Sequence, residues 1–174
     1  MPWRLARPRS GHAIEAPTYA VSYALAGTIG LMIGLGLGLV HVAWAAGAAL
    51  LIMRPVPGLT TSRAVERIVA TFLGITVAVV IAGVGPSAFA IAVLTALAIT
   101  FVVGTRSSDW YVSAAGTGLT VLLMSSLSGP DALTLTYRER LVETAIGAGL
   151  AVVFGVVAPA LAARAGPSRT FDLP

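Results

Sequence analysis

The sequence predicts an all-α integral membrane protein, with six transmembrane helices arranged as two inverted three-helix repeats. Three observations predict it. Apolar residues make up 57% of the chain and charged residues only 10%. Long apolar runs alternate with short polar segments through most of its length. One charged phrase is written twice, as ERIVATFLG from Glu66 and as ERLVETAIG from Glu139. A soluble domain carries about 25% charged residues. A chain so poor in charge cannot coat a water-facing surface, and its long apolar runs read as membrane spans.

A spanning helix needs about 20 mostly apolar residues. From Thr18 to Met53 the chain is almost uninterrupted apolar, enough for two spans joined by a tight turn. The turn is expected in GLGLVHVAW, where Gly36, Gly38 and His41 cluster. Helix 1 is then expected over 18–38 and helix 2, which looks short, over 41–54. RPVPGLTTS breaks the pattern with two prolines and a glycine. Helix 3 is expected from Arg63 or Arg67 to Gly83, helix 4 over 87–104 and helix 5 over 110–127. SLSGPDALT reads as a loop, and Thr136 and Glu139 have the spacing of a capping box. That places helix 6 over 138–162. Residues 1–17 and 163–174 are read as cytoplasmic tails, and 18–162 as one membrane domain. Repeat one spans about 18–84 and repeat two about 87–162. Runs this long and apolar do not fit barrel strands, and lipid cannot satisfy an open sheet edge.

All eleven basic residues are Arg. With the N-terminus inside, nine lie on the cytoplasmic side: Arg4, Arg7, Arg9, Arg54, Arg63, Arg67, Arg106, Arg164 and Arg169. Only Arg138 and Arg140 lie outside. This is a positive-inside bias with both termini cytoplasmic. Arg without Lys points to a GC-rich genome and so to a bacterial inner membrane. In a soluble protein a pI near 10.3 would point to nucleic acid. Here the arginines punctuate apolar runs, so the bilayer is the expected partner and nucleic acid is not. There is no Cys, hence no disulfide, thiolate metal site or catalytic thiol. GLMIGLGLG lacks the strand and polar context of a nucleotide loop. No catalytic constellation, metal or cofactor site is expected.

The repeat runs beyond the charged frame. ERIVATFLGITVAVV and ERLVETAIGAGLAVV share eight identities in fifteen positions, 73 residues apart. Upstream, WAAGAALLIM resembles SAAGTGLTVLLM. A unit of three spans, an odd number, must enter the membrane from the opposite side in its second copy. Arg67 is then expected on the inner side and Arg140 on the outer. Gly30, Gly34 and Gly38 are spaced by four, and Gly74 and Gly147 recur in the two frames. All five read as helix-packing positions that let backbones approach.

The order of these features resembles the fusaric acid resistance protein-like family, which includes aromatic acid exporters. Trp44, Arg54, Pro55, Arg67, Thr71 and Gly74 match the first half of its pattern, and Arg140, Glu143, Thr144, Gly147 and Ala148 the second. The similarity covers about residues 20–160. It implies a six-helix membrane domain and efflux of small organic acids, often aromatic carboxylates. Larger members carry two such blocks and a soluble domain, so the resemblance implies a homodimer or a partner block here. The alternatives are a non-transporting membrane subunit that stabilises a partner and an anion-channel-like protein.

Ionisable groups inside a bilayer are expensive and mark functional sites. Glu143 and Arg140 share a helix face. They either meet an anionic substrate or pair with each other at the helix end. Arg54 and Arg67 are further candidates to meet a carboxylate, through the fork geometry of guanidinium. Thr71 and Thr144 either bond carbonyls of their own helices or line a path. His41 reads as an interfacial polar residue, and Trp44, Trp110 and Tyr111 as an aromatic belt.

Overall fold

A computed structural model describes residue 14 and residues 16–105 and 110–165. Arg4, Arg7, Arg9, Arg106 and Arg169 lie outside the described residues. The described residues are helical, without strands. The helices are α1 (Ala16–Gly36), α2 (Ala43–Ile52), α3 (Pro57–Gly83), α4 (Ala88–Gly104), α5 (Trp110–Ser126) and α6 (Pro130–Val152). A π-helical turn (Val153–Val157) joins α6 to α7 (Ala158–Ala165). Three stretches are long and apolar enough to cross a membrane: Pro17–Gly36, Pro57–Gly83 and Pro130–Ala162. Ala43–Ile52, Ala88–Gly104 and Tyr111–Ser126 are shorter apolar helices.

Several boundaries differ from the sequence reading, each for a local reason. α1 stops at Gly36, because Gly38 takes a left-handed φ of 63° that only a residue without Cβ adopts at no cost. Nothing lies within 4 Å of where a Gly38 side chain would stand. Gly38 is a turn residue, not a helix-packing one. α2 is confined to ten residues, about 15 Å of helix, against a hydrocarbon core of about 30 Å. α3 starts at Pro57, not at Arg63 or Arg67, and α6 starts at Pro130, not at 138. Both prolines occupy a first-turn position, where a missing N–H costs nothing. Thr136 and Glu139 are therefore inside α6 and form no capping box. Gly129, with φ 111°, makes the sharp approach to Pro130. Pro159 offers no N–H to the carbonyl of Gly155. The preceding turn widens instead, and the Ala158 N–H donates to the Val153 carbonyl.

Packing follows small residues. α1 packs on α2, and α4 on α5. α3 packs on α5, α6 on α2, and α3 and α6 lie against each other. A methyl on Gly74 would run into the Ala115 carbonyl oxygen of α5. One on Gly147 would meet the Ala45 carbonyl oxygen of α2 at 2.8 Å. Gly30 and Gly34 face Ala46 and Val42 equally closely. At these four glycines a neighbouring backbone comes too close for a side chain.

Polarity is turned inside out. Phe89 is 80% exposed and Glu143 is 1% exposed. On α3 the outward residues include Val65, Ile68, Val69, Phe72 and Leu73. Buried residues of α6 recur at Thr136, Glu139, Arg140, Glu143, Thr144 and Gly147, one stripe along a helix. A surface of Val, Leu and Phe over an interior of Glu and Arg is stable only where the solvent is lipid.

Candidate functional site

α6 carries the site and α2 completes it. Glu139, Arg140 and Glu143 stand on the buried face of α6. They meet the turn that leads into α2. The backbone N–H of Val40 donates to Glu139 Oε1 at 2.9 Å. His41 Nδ1 lies 2.9 Å from Glu139 Oε2. The imidazole stacks on Trp44, with ring centroids 3.7 Å apart and planes tilted by 11°. The Arg140 guanidinium carbon lies 3.1 Å from the centroid of the Trp44 ring, a cation–π contact. His41 is thus a partner of Glu139, not merely an interfacial polar residue. Trp44 is a platform for two side chains, not a belt residue.

Glu143 is the outlier. Both carboxylate oxygens are buried and neither has a hydrogen-bond partner. The expected pairing of Arg140 with Glu143 does not form, because Arg140 lies over Trp44 instead. The Nε atoms of Arg140 and Arg67 are also buried without a partner. Buried polar atoms in native proteins are nearly always bonded, so four orphans call for a reason.

Arg67 and Arg140 stand on α3 and α6, which pack against each other. Each is the eleventh residue of its helix, α3 or α6. Ten residues of helix put each about 15 Å from its helix start, roughly half the hydrocarbon thickness. The Arg67 charge reaches Arg140, and Arg140 and Glu143 act on one another. Neither arginine is at a helix end, contrary to the inner and outer positions expected for them.

Arg54 lies elsewhere. It follows the C-terminal end of α2, whereas His41 precedes its start. Its guanidinium donates to the Met53 carbonyl at 2.7 Å. Its own N–H donates to Thr60 Oγ1 at 2.9 Å, and that hydroxyl donates back to the Arg54 carbonyl at 3.0 Å. Arg54 and Arg63 are within electrostatic reach of each other. Thr71 and Thr144 are buried. Among the described residues neither makes the expected bond to a carbonyl of its own helix, unlike Thr61 and Thr134, which bond Pro57 and Pro130.

Sequence reasoning missed Glu139, His41 and Trp44 as members of one site. The available signal was Glu139, Arg140 and Glu143 at i, i+1 and i+4 of one helix in an apolar chain. The false helix start at 138 hid it by making Glu139 a cap.

An apolar exterior, several helices fit for a membrane and a buried polar cluster define a multi-pass membrane protein of transporter-like character. The family model described as fusaric acid resistance protein-like matches residues 22–154. The chain belongs to that family. No curated protein and no solved structure matched it.

Proposed function

We propose that the protein is a membrane transporter for the efflux of small organic anions, aromatic carboxylates first among them. The single observation that carries this reading is the paired placement of Arg67 and Arg140. The same residue of the same repeated frame stands mid-helix on each of two packed helices, within electrostatic reach of the other, each with a buried, unbonded Nε. A carboxylate between them would accept from both, in the charge-assisted geometry guanidinium favours. Arg54 and Arg63 would gather anions at the α2–α3 turn. Arg67 lies one helical turn beyond Arg63, so an anion can step inward. Glu143 would repel the anion when ionised and admit it when neutralised.

The architecture proposed with it is six membrane helices in two inverted repeats, α2 crossing only part of the bilayer. Its support is the exchange of partners: α3 on α5 as α6 on α2, and α1 on α2 as α4 on α5. Pro57 and Pro130, Thr61 and Thr134, and Gly74 and Gly147 keep the 73-residue offset. Mid-helix arginines on two packed helices are what an axis in the membrane plane produces. We place the protein in a bacterial inner membrane with both termini cytoplasmic, as a homodimer or beside a partner block.

Two experiments test this. Purified protein in liposomes should move small carboxylates, and Arg67→Ala or Glu143→Gln should change the rate. A wild type that moves no member of an aromatic and aliphatic panel overturns the transport reading. Single cysteines at Gly58 and Asp131, equivalent positions in the first turns of α3 and α6, should label from opposite faces. Labelling of both from one face ends the inversion.

A further inference from the structure

The α2–α6 cluster joins Glu143 to two donors, His41 and Glu139, that the proposed anion path does not use. We propose that His41, Glu139 and Glu143 bind a divalent transition-metal ion, with Zn2+ the best match to the donors. One imidazole nitrogen and one oxygen from each carboxylate all lie within 4.8 Å of one another. Ligands about 2.0–2.2 Å from a tetrahedral zinc ion stand roughly 3.3–3.6 Å apart. His41 Nδ1 and Glu139 Oε2, now 2.9 Å apart in a hydrogen bond, need to part by only a few tenths of an ångström. Glu143 needs to close by roughly 1–2 Å, within reach of a side-chain adjustment.

A second observation points to a ligand independently of the cluster. Glu143 is 1% exposed and both its oxygens lack a partner. An ionised carboxylate there costs several kcal/mol without a counter-charge. The other two ligands are held by surrounding groups, as metal ligands commonly are. The Val40 N–H fixes the Glu139 carboxylate, and stacking on Trp44 fixes the imidazole plane. Mixed imidazole and carboxylate donors suit zinc and its transition-metal neighbours, whereas calcium and magnesium prefer all-oxygen sites.

The cation beside the cluster is Arg140 on α6, on which Arg67 of α3 acts in turn. Arg140 lies over the Trp44 ring and bonds neither carboxylate. The two carboxylates offset the ion's charge and leave the two arginines over. Three protein ligands leave a fourth position open. A carboxylate or hydroxide taken there would offset one of the two remaining positive charges. Metal binding by itself does not depend on transport.

Cobalt is the probe, because Co2+ held by nitrogen and oxygen in a tetrahedral site absorbs in the visible. Titration of the protein in lipid nanodiscs should give one Co2+ per chain, displaced by Zn2+. His41→Ala and Glu143→Gln should each weaken binding about tenfold or more. Glu66→Gln, in the other copy of the frame, and His12→Ala should leave it unchanged. Absence of stoichiometric binding overturns the proposal, and so does binding indifferent to His41→Ala. If the variants do not fold, zinc absorption spectroscopy on the wild type decides. One imidazole with carboxylate oxygens supports the site; a water-only or two-imidazole shell sinks it. A transporter whose chain binds no metal refutes only this inference. Metal binding without transport refutes only the reading above.

Discussion

α3 and α6 carry the same nine-residue frame, and the structure uses the two copies differently. Glu66 accepts from Ser62 Oγ at 2.9 Å, one turn back on its own helix. Glu139, its counterpart, reaches across to the turn before α2 and meets His41. Ala70 packs where Glu143 stands in the other copy, and both are buried. The shared Arg and Gly keep their roles: each Arg points inward and each Gly admits a neighbouring backbone. The repeated frame therefore keeps a close-packing glycine and a mid-helix arginine in both helices. The acid chemistry is concentrated on one side.

The comparison can be broken first at its symmetric centre. Arg67→Ala and Arg140→Ala should each slow anion transport in liposomes by about a hundredfold, the loss of one charge-assisted bond to substrate worth about 2–3 kcal/mol. Very unequal effects would show that only one arginine meets the anion. The packing symmetry comes next. Gly74→Ala and Gly147→Ala should each cost about 1–3 kcal/mol, more where backbone must shift, read as a lower melting temperature in detergent. Indifference at either position would contradict the close approach to Ala115 or Ala45. A smaller asymmetry separates the two glutamates. Glu139→Gln should destabilise by about 1–2 kcal/mol through its charged bond to His41. Glu66→Gln should stay within about 0.5 kcal/mol. The smallest effect is expected at Gly149, where nothing lies within 4 Å of a would-be side chain. Gly149→Ala should raise stability by a few tenths to about 1 kcal/mol, because alanine favours helix.

Much of this was legible before any fold was known. The apolar runs located α1, α4 and α5 to within two or three residues at each end. Composition alone required lipid around them. The repeated frame named Arg67, Arg140 and Glu143 as residues to watch. What escaped was depth. Pro57 and Pro130 read as loop punctuation, because proline usually breaks a helix. Each in fact begins one, and the shift of the helix starts moved the arginines from helix ends to helix middles. The link between His41 and Glu139 was equally hidden. The two are 98 residues apart, and no local pattern relates them.

The sequence by itself determined the class of solvent, the helical class and the residues that repeat. These follow from composition and periodicity, which are local and additive. Only the tertiary structure decided which charged groups share an interior. That depends on small residues such as Gly147 letting α6 close onto α2. It also depends on the helix starts, which set how deep each charge sits.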